Sequence, residues 1–196
     1  MLFAFDRKFK RSGIKVIAGV DEAGRGPLAG PVVASAVVLP GGFRLKGLAD
    51  GKTLTERKRE MYYKTIVRDA VAIGIGVVWQ SVIDRINIHN ATYRAMKSAL
   101  KKLTVLPDLV LVDGPFTIPG VRIQQKAIIA GDAKSACVAC AGIVSKVYRD
   151  GIMRKLHTLF PVYGFAVHKG YPTKKHRSAI KKYGICSAHR TSFSLL

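Results

Sequence analysis

Asp21 and Glu22 stand side by side at the end of an apolar run, Val16-Ile17-Ala18-Gly19-Val20, and Gly24-Arg25-Gly26 follows at once. Adjacent carboxylates in a chain with 33 Lys and Arg against 12 Asp and Glu need a reason. A divalent cation beside a phosphate supplies one: Mg²⁺ and Mn²⁺ take hard oxygen ligands and sit between one or two carboxylates and substrate phosphates. Two more acidic residues have telling contexts. Asp113 follows Leu109-Val110-Leu111-Val112 and precedes Gly114-Pro115, which puts it at the carboxyl end of a strand. Asp132, in Gly131-Asp132-Ala133-Lys134-Ser135, sits where a long helix starts and reads as its N-cap. Taken singly, Asp113 is a turn residue, Asp132 a cap, and Asp150, beside Arg149, half of an ion pair. The pair Asp21-Glu22 alone is evenly balanced between structure and chemistry. Taken together, Asp21, Glu22, Asp113 and Asp132 suit two metal ions about 4 Å apart, the arrangement used for in-line displacement at phosphorus.

These residues need a scaffold that brings them together. Ile14 to Val20 reads as a buried strand and Pro31 to Leu39 as a second, β-branched one. The short glycine-containing connection between them predicts an antiparallel hairpin. Thr53 or Thr55 caps a helix from Glu56 to Asp69, with Met61, Tyr62, Ile66 and Val67 at helical spacing. Val71 to Trp79 is strand-like. Asn90 to Lys102 is a second helix, with Ala91, Met96, Ala99 and Leu100 on its buried side. Leu109 to Val112 is a strand, and if it neighbours the first one, Asp113 and Asp21-Glu22 project from one region of the sheet. Val121 to Gln124 is a weak strand. Ala133 to about Leu156 is the longest helical stretch, rich in small residues that suit close packing on a sheet. Thr173 to Tyr183 is a short, strongly basic helix. Strands followed by alternating helices and strands predict an α/β fold, a mixed sheet with helices on its faces.

Composition narrows the function. A net charge of +21 points to a polyanionic partner, because a basic surface binds phosphates through counterion release. At 48% hydrophobic residues the chain can bury a substantial core. No apolar run approaches the roughly 18 residues of a membrane span, no long basic amphipathic helix suits a membrane surface, and the N-terminus has the wrong order of charge and apolarity for a signal peptide. Three cysteines without framework spacing, Cys137, Cys140 and Cys186, read as reduced thiols in a cytoplasm. Cys137-x-x-Cys140 lacks a second pair and falls on a packed helix, so it reads as small buried residues and not as a zinc site.

Residues 19–32, Gly-Val-Asp-Glu-Ala-Gly-Arg-Gly-Pro-Leu-Ala-Gly-Pro-Val, closely resemble the opening motif of ribonuclease HII, the type 2 ribonuclease H. The resemblance continues in order through Asp50-Gly51-Lys52-Thr53-Leu54, Val112-Asp113-Gly114, Gly131-Asp132 to Asp150, and His168-Lys169-Gly170-Tyr171-Pro172-Thr173. It implies a ribonuclease H-like mixed β-sheet flanked by helices, with a short helical C-terminal extension. The whole of 1–196 would then be one catalytic domain, with a core at about 14–160 and a substrate-contacting segment at about 161–196. The implied activity is endonucleolytic cleavage of RNA in RNA–DNA hybrids, and on the 5′ side of ribonucleotides embedded in duplex DNA, leaving 3′-hydroxyl and 5′-phosphate ends. The implied cofactor is Mn²⁺ or Mg²⁺ in a two-ion site on Asp21, Glu22, Asp113 and Asp132, in an enzyme acting as a monomer. The implied substrate residues are Gly24, Arg25, Gly26 and the junction-sensing Tyr171. Lys52, Lys146 and the Lys174–Lys182 cluster are suited to phosphates, and glycines flanking Arg25 let backbone come close to a sugar.

The chain departs from the family pattern at Gly51, where serine is usual, at Gly142 within Cys140-Ala141-Gly142-Ile143, where Ala-Ala-Ser-Ile is usual, and at Ser145, where alanine is common. None is expected to touch a metal ligand, so the expected consequence is confined to substrate grip and helix packing. Two other motifs fail. The segment 47–53 has three residues between its glycines where a P-loop needs four. Gly24 to Ala29 fits a loose dinucleotide fingerprint, but carboxylates precede it and Pro31 follows where the helix should grow. A nucleic-acid-binding module without catalysis would keep the charge and lose a carboxylate; all four are present.

Overall fold

The computed structural model describes residues 2–48 and 54–196; Gly51 and Lys52 lie outside them. Strand β1 (Ile17–Ala23) begins later than the apolar run and continues through both carboxylates. It does so because Asp21, Glu22 and Ala23 pair with Ser35, Ala34 and Val33 of β2 (Val32–Val38), in the antiparallel register expected of the hairpin. β3 (Ala72–Val78) pairs antiparallel with β2. On the other side of β1, β4 (Leu109–Asp113) runs parallel to it, and β5 (Gln124–Ile128) runs parallel to β4. The sheet order is β3-β2-β1-β4-β5. The neighbouring of β1 and β4 is the condition the sequence left open.

β5 lies further along than the expected strand at Val121. The side chain of Gln125 receives the N–H of Ile118 and donates to the carbonyls of Ile118 and Val121, which holds 118–121 in a turn. The polar run Gln124-Gln125-Lys126 then forms the edge, where unpaired backbone and polar side chains can face water.

Helices cover both faces. α1 (Leu2–Arg11), where the sequence shows only a short apolar stretch, seats Phe5 and Phe9 against Ile17, Leu109 and Leu111. α2 (Glu56–Asp69) starts at Thr55, whose side chain accepts the Lys58 N–H. α3 (Gln80–Lys101) begins ten residues before the expected Asn90 and breaks at Asn87, with φ 63°; the Asn87 Oδ1 accepts the Asn90 N–H and restarts the helix. α4 (Ala136–Leu159) is capped by Ser135, whose Oγ accepts the Val138 N–H. Asp132 is therefore not the cap of the long helix; it belongs to a separate 3₁₀ turn, Gly131–Ala133. α5 (Phe165–His168) and α6 (Lys174–Tyr183) follow, the latter capped by Thr173.

Alternation along the strands divides the core. Val20, Val110 and Val112 pack with Ala91, Ala95 and Met96 of α3. Leu109 and Leu111 pack with Cys137 and Val138 of α4, and Val37 with Ala136, Ala139 and Val144. Each fully buried Leu or Ile here contributes about 2 kcal/mol. Cys137 and Cys140 are buried free thiols within this packing. Among the described residues no helix is long and apolar enough to cross a membrane.

Candidate active site

The strand register places the carboxylates. Val20 of β1 pairs with Val112 of β4, so the next residues along, Asp21 and Asp113, stand beside each other at the same end of parallel neighbours. Adjacent strands lie about 4.8 Å apart. Since Val20 and Val112 face α3, Asp21 and Asp113 face α4, and Glu22 turns to the α3 side. Asp21 Oδ1 accepts the Glu22 N–H at 2.6 Å, and Asp113 Oδ1 accepts the Gly131 N–H at 2.6 Å, which ties the Asp132 turn to the strand end.

Two cavities meet this edge. One of about 220 Å³ is lined by Asp21, Asp132, Arg59, Gly142 and Lys146. The other, of about 190 Å³, is lined by Glu22, Asp113, Arg25, His89, Tyr93 and Phe116. The carboxylates act on one another. Burial, then the charges of Glu22 and Asp113, with Asp132 adding less, hold the Asp21 carboxyl well above the usual carboxylate range. Glu22 is raised too, by burial and by Asp113, against the opposing effect of Arg25. Arg25 Nη1 lies 3.3 Å from Glu22 Oε1, a long ion pair, and its other nitrogen is 3.4 Å from His89 Nδ1.

Among the described residues no three His, Cys, Asp or Glu side chains form a ready-made metal cage. Hard divalent ions do not require one, because they keep waters and share substrate phosphates. The donor set fits such ions: oxygen-only ligands, an excess of negative charge and mutual repulsion that a cation would relieve. A thiolate or imidazole set suited to softer metals is not what gathers here.

Gly142 bears on this site more directly than the sequence suggested. A Cβ built on it would collide with Asp21 Oδ2, so a side chain here forces the carboxylate to move. Ser145 is buried and turns its hydroxyl onto the Gly142 carbonyl at 3.1 Å.

Of the residues expected to meet substrate, Gly26 and Tyr171 are brought together: a Cβ on Gly26 would lie 3.9 Å from the Tyr171 ring. Tyr171 is 41% exposed, and Lys146 Nζ lies 5.8 Å from its ring centroid. Lys146 also pairs with Asp150 at 2.8 Å, so Asp150 has Lys146 and not Arg149 as its partner. Lys52 lies outside the described residues.

Arg149 and Arg190, both fully buried, were not anticipated as site residues. Arg149 donates to the carbonyls of Pro31 (2.9 Å), Lys169 (3.0 Å) and Ala29 (3.1 Å). Arg190 donates to those of Gly24, Arg25 and Gly30. Burial pushes the Arg149 guanidinium down to about 10; burial and the charge of Arg149 push Arg190 down to about 9. Both remain charged at neutral pH. They fix the loop between β1 and β2 against Lys169 and the chain end. Gly24, at φ 96°, is required here, since a Cβ would collide with the Arg149 side chain. Nothing local in Tyr148-Arg149-Asp150 or His189-Arg190-Thr191 distinguishes these arginines among the chain's other cations; their guanidinium hydrogen bonds all reach carbonyls distant in sequence.

Behind Tyr171, three imidazoles pack together. His168 stacks on His176 at 4.5 Å, and His176 Nε2 lies 3.1 Å from His189 Nε2. Burial lowers His176 to about 4.

The family model described as Ribonuclease HII matches residues 18–196. The ribonuclease HII of Acetivibrio thermocellus is 50% identical over 190 residues, covering 97% of this chain and 74% of that protein. The ribonuclease HII of Syntrophus aciditrophicus is 51% identical over 191 residues, 97% of this chain and 90% of its own. Among solved structures, the ribonuclease H2 from Pyrococcus horikoshii OT3 aligns with a TM-score of 0.79 at 26% identity, over 92% of this chain and 95% of that one.

Proposed function

This chain belongs to the ribonuclease HII family, with the ribonuclease H fold, and is an endonuclease hydrolase; from that premise we propose which bond it cuts and with which residues. It cleaves the RNA strand of RNA–DNA hybrids and the 5′ side of ribonucleotides embedded in duplex DNA. Products carry 3′-hydroxyl and 5′-phosphate ends. Asp21, Glu22, Asp113 and Asp132 hold two divalent ions, Mn²⁺ or Mg²⁺. When bound, such ions supply an activated water and neutralise charge on the leaving oxygen.

The observation that carries this reading is the placement of Asp21 and Asp113 side by side on parallel neighbours, with Glu22 and Asp132 close enough to disturb Asp21 electrostatically. The protein residues position and do not attack. Asp113 is oriented by the Gly131 N–H and Asp21 by that of Glu22. Arg25, 44% exposed and loosely paired with Glu22, is free to swing its fork onto a phosphate as Glu22 takes up a cation. Gly26 brings bare backbone beside the Tyr171 ring, and the substrate sugar is placed against that ring. RNA is told from DNA there by its 2′-hydroxyl. Lys146 and the α6 lysines supply further phosphate affinity. The chain works as one catalytic domain, with 161–196 as its substrate-contacting segment.

Asp113→Asn is the test, on a duplex containing one ribonucleotide, with Mg²⁺ and with Mn²⁺. Cleavage is expected to fall by about a thousandfold or more while the duplex is still bound, as removal of a group acting in the transition state does. Near-normal cutting sinks the assignment.

A further inference from the structure

Arg190 touches none of the four carboxylates, yet it shapes the loop that follows two of them. Its guanidinium donates to Gly24 O at 2.6 Å, to Arg25 O at 2.9 Å, and to Gly30 O at 3.0 and 2.9 Å. A trans peptide group is planar, so a carbonyl and the N–H of the next residue point in opposite directions. With the Gly24 and Arg25 carbonyls drawn inward, the amides of Arg25 and Gly26 point away from Arg190. Both residues are exposed, so these amides face the solvent side of the loop. Two successive outward amides form a donor pair suited to a hydroxyl or phosphate oxygen.

Arg190 is itself locked. Asp84 of α3 accepts from the backbone N–H groups of Thr191 and Ser192 at 3.0 Å each, and from their hydroxyls at 3.0 and 2.6 Å. Gln80 Nε2 donates to Ser187 O at 2.6 Å. The segment between, 188–190, adds to the loop as a short bridge: Gly30 N–H donates to Ala188 O and Arg190 N–H to Leu28 O, both at 2.8 Å. Only the rigid fork of a guanidinium spans three carbonyls in this way; a lysine offers a single point charge.

We propose that Arg190, locked by Asp84, is a positioning residue for sugar recognition: by drawing two carbonyls inward it presents the amides of Arg25 and Gly26 to the ribose hydroxyl, and so sets the choice of ribonucleotide over deoxyribonucleotide. This rests on the reading that Gly24–Gly26 meets the substrate sugar. A role confined to folding would change how many molecules are active but not their discrimination.

The full chain carrying Arg190→Met, Arg190→Lys or Asp84→Ala is compared with wild type. The KM and kcat are measured on a duplex with one ribonucleotide, and the all-DNA duplex of the same sequence serves as competitive inhibitor. The ratio of inhibition constant to KM reports discrimination. It is expected to fall roughly tenfold in Arg190→Met, as for the loss of two modest hydrogen bonds. It should fall nearly as far in Arg190→Lys and about threefold in Asp84→Ala. KM should move more than kcat, with the Mn²⁺ dependence unchanged. An unchanged ratio in any folded Arg190 variant overturns the proposal, as does a wild-type ratio of one. If no Arg190 variant folds, Asp84→Ala decides by the same criterion. Asp113→Asn separates the two readings: if it cuts normally, the proposed function fails; if it is inactive while the Arg190 and Asp84 ratios hold, only this inference fails.

Discussion

The carboxylate edge and the arginine-clamped loop are only a few residues apart and solve opposite electrostatic problems. At the edge, the charges of Glu22, Asp113 and Asp132 oppose ionisation of Asp21, and among the described residues the cation paired with Glu22 is a half-exposed arginine at 3.3 Å. In the loop, two guanidinium groups are buried, and their donors meet six different backbone carbonyls. The first region is unbalanced and calls for cations from outside. The second is closed on itself, and its result is a fixed backbone shape. On the proposed function, ion binding falls to the first region and the shaping of the substrate loop to the second, and the two meet in the segment from Asp21 to Pro31.

Removing one member from each region should give opposite signatures. Arg149→Met leaves the carbonyls of Ala29, Pro31 and Lys169 without their donor in a buried site. It is expected to cost about 3 kcal/mol of stability. That corresponds to a fall of roughly 10 °C in the unfolding midpoint, measured by circular dichroism. A loss below about 1 kcal/mol would break the contrast. Asp21→Asn should do the reverse and stabilise the metal-free protein by about 1 kcal/mol at pH 7, because it removes a repelled, partly buried charge. The sign follows from linkage: the folded carboxyl binds its proton more tightly than the unfolded one, so its ionisation opposes folding. That penalty is absent below the unfolded value near about 3.9 and grows as pH rises toward the raised folded value. The gain in Asp21→Asn should therefore vanish at about pH 4. Denaturant titrations at the two pH values check it, and a variant less stable than wild type at pH 7 would contradict it.

The meeting of Asp21 and Asp113 was legible because each has a local signature. Asp21 and Asp113 each follow an apolar run, and the strands that carry them turn out to be neighbours. Thr55, one of the two cap candidates for α2, marked its helix because a capping hydroxyl acts on an N–H three residues on; Thr173, read only as the start of the basic helix, caps α6 in the same way. The clamp was illegible because its bonds join Arg149 and Arg190 to carbonyls more than a hundred residues away, apart from that of Lys169, and carbonyls carry no residue identity. Asp132 misled for a related reason. Gly-Asp-Ala before a helix looks like a cap, but Ser135 three residues later is the residue that meets Val138 N–H. β5 was displaced because Gln125 spends its side chain on the preceding turn, a choice that polar edge residues leave open in sequence.

The central assignment is that the carboxylates at the ends of β1 and β4 bind divalent ions and the buried arginines do not. Mn²⁺ titration followed by electron paramagnetic resonance, on wild type, Asp21→Asn, Asp113→Asn and a folded Arg190 variant, tests it without relying on cleavage. Affinity is expected to fall by at least about tenfold in both carboxylate variants, no less than the loss of an outer-sphere partner causes, and to stay unchanged in the Arg190 variant. Wild-type Mn²⁺ affinity in Asp21→Asn and Asp113→Asn would contradict it.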